Sequence, residues 1–105
     1  MTGNNNFRIK DLPAAERPRE RLIKAGPENL SNAELLAIIL RTGTKNLTAT
    51  RLAERVICHI KGLKGIVDIN VEELTEIRGV GKAKAAQVIA LGELTKRINA
   101  ARYEK

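Results

Sequence analysis

Residues 74–89 read Leu74-Thr75-Glu76-Ile77-Arg78-Gly79-Val80-Gly81-Lys82-Ala83-Lys84-Ala85-Ala86-Gln87-Val88-Ile89. Two glycines flank one valine, and apolar residues stand at helical steps on both sides. A chain that reverses between two helices in so few residues needs backbone angles that side chains resist. Gly79 and Gly81 are expected to supply them, so that a side chain at 81 would strain the turn. Val80 is expected to plug inward, and the small Ala85 to let the helices approach. The amides of Gly79, Val80 and Gly81 then lie at the start of a helix. Unpaired donors and the positive end of the helix dipole meet there, a combination that attracts phosphate. Arg78, Lys82 and Lys84 add positive charge, and residues 77–87 contain no acid. The same glycines could instead serve only as a tight turn in a protein-interaction module.

This stretch resembles the helix-hairpin-helix signature, with Leu74, Ile77, Gly79, Val80, Gly81, Ala85, Val88 and Ile89 in its positions. Other glycine motifs do not fit. A Walker loop needs glycine where Glu76 stands and Ser or Thr where Ala83 stands. A dinucleotide fingerprint needs glycine in place of Lys84 and a strand before it. A degenerate second copy is suggested 36 positions earlier, where Gly43 aligns with Gly79, Ala49 with Ala85 and Leu52 with Val88. Thr44 and Lys45 replace the valine and second glycine, and Arg41 replaces Ile77. The alternatives are chance alignment of two helices, or a paired motif whose second phosphate set is Thr42, Gly43, Thr44 and Lys45.

Working outward, Pro18 opens a short helix that Gly26-Pro27 stops. Ser31 and Glu34 form a capping box before a helix with apolar residues nearly all round. Thr48 caps the next helix, whose stripe is Ala49, Leu52, Ala53, Val56, Ile57 and Ile60. Gly62 and Gly65 bracket a further turn or two of helix, and Asn70 with Glu73 caps the helix before the glycines. The last helix is predicted over residues 82–101, with the stripe Ala85, Val88, Leu91, Leu94, Ile98 and Ala101. No segment alternates with period two. The expected fold is an all-α, compact, SAM-like bundle of five or six short helices. Residues 1–6 are expected to be disordered, 7–102 to form one domain, and 103–105 to begin a linker.

Composition narrows the function. Lys and Arg number 19 against 12 Asp and Glu, a net charge of +7 that favours an anionic partner. Cys58 and His59 are the sole residues of their types, so neither a disulfide framework nor a multi-His or Cys-based metal site is available. No metal or other cofactor is expected. No apolar run approaches the roughly 20 residues that span a bilayer, and no apolar leader opens the chain. A cytoplasmic protein with no membrane partner is the simplest reading. With Phe7 and Tyr103 as its aromatics, the chain is a poor base-stacking platform.

Residues 18–22, 30–44 and 77–85 together resemble the N-terminal region of the bacterial RadC (UPF0758) proteins, over roughly residues 8–102. The resemblance implies a helix-hairpin-helix domain with a DNA-repair association. In that family a JAMM/MPN-type domain follows, with a His-x-His and Asp metal site. His59 alone cannot supply such a site, so any hydrolase activity would belong to that further domain and this chain is expected not to be an enzyme.

Two functions remain in play. One is a module that binds duplex or branched DNA without sequence preference through Arg78, Gly79, Val80, Gly81, Lys82 and Lys84. The other is a docking module for the JAMM/MPN-type domain or another protein, which an exposed apolar patch would favour. Several single residues carry two readings each. Arg19 and Arg21 contact a partner or pair locally with Glu20, and Lys96, Arg97 and Arg102 flank DNA or keep an exposed face soluble. Cys58 is expected to be a packing residue and His59 a surface residue. Glu72, Glu73 and Glu76 are expected to favour a helix start, with no catalytic role.

Overall fold

A computed structural model describes residues 17–103; the expectations for 1–6, for the start of the expected domain at 7–16 and for 104–105 lie outside the described residues. The described residues are all-α and include no strand. Among the described residues there are five α-helices: α1 (Pro18–Ala25), α2 (Asn32–Leu40), α3 (Ala49–His59), α4 (Val71–Thr75) and α5 (Lys82–Arg102). Short 3₁₀ turns at Pro27–Asn29 and Leu63–Val67 complete the order. Four helices are short, and α5 has 21 residues, one beyond the span 82–101 expected of it. The chain divides into two compact units, with the boundary inside α3 between Arg55 and Val56.

In the first unit α1 packs on α2 and on the 3₁₀ turn after it. Pro18 starts α1, where its missing N–H costs nothing. The Gly26 N–H closes the other end on the Leu22 carbonyl (2.9 Å). Ser31 caps α2 reciprocally: Ser31 Oγ accepts from the Glu34 amide (3.1 Å), and Glu34 Oε1 accepts from the Ser31 amide (2.8 Å). Leu36, Ala37 and Leu40 are buried, while Leu35, Ile38 and Ile39 are half-buried. Thr48 Oγ1 accepts from the Arg51 amide (3.1 Å) and caps α3. On α3 the predicted stripe is closed to solvent at Ala49, Leu52, Ala53 and Val56, whereas Ile57 and Ile60 are half-buried.

The ion pair of Arg21 differs from the expected one. Its partner is not the neighbouring Glu20 but Glu34, which ties α1 to the capped start of α2. Arg21 Nη2 also donates to the Asn29 carbonyl (3.3 Å). One residue thus holds the α1–α2 connection at two points.

In the second unit α5 packs on the 3₁₀ turn and on α4. The turn opens after a helix end in which Gly62 N–H reaches the Ile57 carbonyl (3.0 Å) and Lys61 N–H the Cys58 carbonyl (3.2 Å). This 6→1 and 5→2 pair is a Schellman closure, with Lys61 in the left-handed position (φ 62°). Asn70 and Glu73 form the capping box of α4. Gly92, inside α5, lies against the Ile66 carbonyl, and a Cβ at 92 would overlap that oxygen. A mid-helix glycine costs about 1 kcal/mol of helix propensity; here it permits the close approach of helix and turn.

The predicted stripe of α5 holds only in its first half. Ala85 and Val88 are buried and Leu91 is half-buried. Leu94 and Ile98 are 57% and 58% exposed, and Ala101 is exposed as well. Helical periodicity identified a face but not where its cover ends. Cys58 is also exposed, contrary to the packing role expected of it.

Two outcomes follow. Gly92→Val should destabilise the chain by about 1–3 kcal/mol through forced displacement of the 3₁₀ turn, measured by urea unfolding. The Glu34 carboxyl is held below its ordinary value of 4.5 by the Ser31 backbone N–H and the Arg21 charge, against an upward push from partial burial. Its contribution is therefore complete above that value and is lost as pH falls through the lowered folded value. Glu34→Gln should lower the melting temperature at neutral pH, and the gap to the parent should close progressively on acidification.

Candidate functional site

The turn between α4 and α5 is built from the inside. Leu74, Ile77, Val80, Ala85 and Val88 are all buried, which gives the hairpin the apolar seam expected of it. The Ile77 N–H donates to the Leu74 carbonyl (3.0 Å) and the Val80 N–H to the Ile77 carbonyl (2.9 Å). These bonds carry the chain out of α4 one short turn at a time. Gly79 has φ 98°, a conformation that a side chain resists.

Gly81 departs from the expectation. It is the N-cap of α5 with φ −90° and ψ −174°, extended backbone open to any residue. A Cβ built there meets nothing. A side chain at 81 would therefore not strain the turn. The Val80 amide also differs from its expected role: it is engaged inside the turn, so it is not a donor for an outside ligand. Val80 serves as the plug alone.

Gly81 has no side chain with which to cap α5, whereas Ser31, Thr48 and Asn70 cap α2, α3 and α4. The first-turn amides of a helix have no carbonyl partner within it. Gly81, Lys82 and Ala83 are exposed, as is Arg78, while Gly79 and Lys84 are half-buried. The turn therefore brings together Arg78, Gly79, Gly81, Lys82 and Lys84 around an N-terminus open at its cap, with Val80 beneath.

The second predicted set, Thr42, Gly43, Thr44 and Lys45, lies in the loop between α2 and α3 in the first unit. Its backbone is not a copy of the α4–α5 turn. Gly43 has no positive φ; the residue that does is Arg41, at φ 73° and ψ −48°. Gly43 is glycine for another reason, since a Cβ would overlap the Leu47 carbonyl oxygen. The Thr44 N–H donates to that same carbonyl (2.9 Å), and Thr44 Oγ1 accepts from the amides of Asn46 (3.2 Å) and Leu47 (3.1 Å). Thr44 is thus committed within the loop, while Lys45 is exposed.

Among the other weighed residues, Arg97 Nε pairs with Glu93 one turn earlier (3.0 Å) on an exposed face. Lys96, Arg102 and His59 are exposed. Glu72 and Glu73 sit in the first turn of α4. Among the described residues no group of three or more His, Cys, Asp or Glu is placed to hold a metal ion, so they do not fit the metal site of a JAMM/MPN-type domain. No helix of the described residues is long and apolar enough to cross a membrane.

The two glycines should separate in experiment. Gly79→Ala should destabilise by about 1 kcal/mol or more, because alanine is strained at that φ. Gly81→Ser should stabilise by a few tenths of a kcal/mol, because serine caps a helix slightly better than glycine does. Chemical denaturation of both variants gives the comparison.

The chain is similar to proteins of one family. The family model described as UPF0758 N-terminal matches residues 9–86. UPF0758 proteins of Clostridium botulinum strains Hall and Kyoto are 56% identical over 94 residues, which is 90% of this chain and 41% of theirs. A UPF0758 protein of Clostridium acetobutylicum is 53% identical over 97 residues, 92% of this chain and 42% of its own. The chain thus spans about two-fifths of the length of these curated relatives. No solved structure matches it. A match across most of the chain, together with relatives identical at more than half of their aligned positions, places it: the chain belongs to the UPF0758 N-terminal family.

Proposed function

We propose that this chain is a non-sequence-specific DNA-binding module that holds backbone phosphates at the α4–α5 turn. The observation that carries the reading is Gly81. It is exposed, its backbone angles suit any residue, and a side chain there would meet nothing. Neither backbone strain nor crowding requires glycine at 81, whereas close approach of an outside phosphate favours it. The first-turn amides of α5 supply donors, and Lys82, Lys84 and Arg78 supply charge. Contacts of this type orient a duplex or branched DNA without reading bases. Lys45 and Thr42 of the first unit form the second, weaker phosphate set in this reading. An association with DNA repair or recombination, and a cytoplasmic location, belong to the same proposal.

Docking to the remainder of a longer UPF0758 protein is the second reading. Leu94 and Ile98 on the outer half of α5 favour it, because two large apolar side chains more than half exposed on one helix face invite a partner.

Fluorescence anisotropy with labelled duplex and four-way-junction DNA at several salt concentrations tests the first reading. Three or four phosphate contacts give a log–log salt slope of roughly −3. Lys82→Glu/Lys84→Glu should abolish binding in a protein whose circular dichroism is unchanged. Gly81→Ser should weaken binding while raising stability, since its hydroxyl occupies an amide meant for phosphate. Absence of binding at low salt would overturn the DNA reading and leave docking.

A further inference from the structure

A half-open groove of about 610 Å³ lies in the first unit, between the start of α1, the end of α2 and the loop that follows. Its size falls within the roughly 300–1,000 Å³ of small-ligand sites. The walls mix two chemistries. Ile38 and Leu47 offer an apolar surface, and Arg19, Arg41 and Lys45 bring positive charge. None of these three cations forms an ion pair with a described residue. Glu20 is the one acid among the described lining residues. Its Oε1 is shut off from solvent and has no hydrogen-bond partner among the described residues.

Arg41 stands at the lip in an uncommon backbone conformation. The Thr42 N–H donates to the Leu40 carbonyl (2.8 Å) across it. With φ 73° and ψ −48°, this is the rare, strained form of the γ-turn. Glycine would adopt it without cost, so an arginine there points to a task for its side chain.

We propose that this groove binds a nucleotide. The phosphate lies against Arg41 and Lys45, and the heterocycle lies along Ile38 and Leu47. An amino group of the base donates to the Glu20 carboxylate once that side chain turns to meet it. A bare anion would use the cations but leave the apolar walls and Glu20 idle. An apolar ligand would leave three cations without a counter-charge. A nucleotide uses all three features. Its source is either a free nucleoside monophosphate or the terminal nucleotide of a DNA strand. The site includes Thr42 and Lys45 of the weaker second phosphate set, but it is separate from the α4–α5 turn and does not rest on the reading given to that turn.

The test is a 1H–15N NMR titration of the 105-residue chain. The probes are the four deoxynucleoside monophosphates, inorganic phosphate, and a short single strand with and without a 5′-phosphate. Shifts are expected at residues 17–20 and 37–48. The nucleotides should bind at least about tenfold more tightly than inorganic phosphate, and thymidine monophosphate, which has no amino group, most weakly among them. Arg41→Gly, which relaxes the γ-turn, and Lys45→Glu, on an exposed loop, should each weaken binding about tenfold. Glu20→Gln should shrink the discrimination against thymidine monophosphate. A 5′-phosphate dependence of strand binding assigns the site to strand ends; equal or tighter binding of monophosphates assigns it to free nucleotides. Either result supports the proposal. It is overturned if nucleotides at millimolar concentration move no groove amide, if inorganic phosphate binds as well as they do, or if both groove variants bind normally. Lys82→Glu/Lys84→Glu should leave groove binding intact, so failure of this proposal and failure of the DNA reading are separately visible.

Discussion

The ends of the helices are the constraint on which this structure depends. A helix leaves its first four N–H groups and last four carbonyls without internal partners. In α4, with five residues, almost the whole element consists of ends. The chain answers with local chemistry. Ser31, Thr48 and Asn70 accept from amides three residues ahead, and Glu34 and Glu73 return the bond at two of these caps. Pro18 removes a donor from the start of α1. The Schellman closure at Lys61 and Gly62 satisfies carbonyls at the other end of α3. Against that background α5 is the exception, a helix of 21 residues whose cap position holds glycine.

Such chemistry repeats at short sequence distance, which is why much of the fold was legible. The capping boxes, the Thr48 cap, the Gly79 turn and the Val80 plug all follow from residues within a few positions of one another. What escaped depends on contacts that spacing does not encode. Glu34 lies 13 residues from Arg21, and a nearer acid competed for the assignment. The close approach of Gly92 to Ile66 needs two elements already docked. Leu94 and Ile98 continue a perfect helical stripe, yet periodicity cannot say how far a covering element reaches. Cys58 was misjudged because its residue type is so often buried.

The candidate site divides along the same line. Residues 78–84 were found from the glycines and basic residues, but the individual duties were not. Gly79 is constrained by its backbone and Gly81 is not, although they looked equivalent in the sequence. In the other unit, alignment suggested that Gly43 repeats Gly79. The positive φ falls instead on Arg41, and the Gly43 position is governed by contact with the Leu47 carbonyl. The signal that could have drawn attention to Arg41 and Glu20 was their setting: charged residues at the seams between an apolar helix and its neighbours.

Gly92 carries a consequence for the far end of α5. A smooth helix can slide along its support, and side chains alone resist such slipping weakly. The notch at Gly92 admits the Ile66 carbonyl at one position only, so it acts as an index mark for the whole rod. Slippage by one residue would turn the helix by about 100° and advance it by about 1.5 Å. Arg102 lies ten helical steps beyond Gly92, a lever of about 15 Å. The direction in which Leu94 and Ile98 face is therefore decided not where they stand but at a missing side chain further down the same helix.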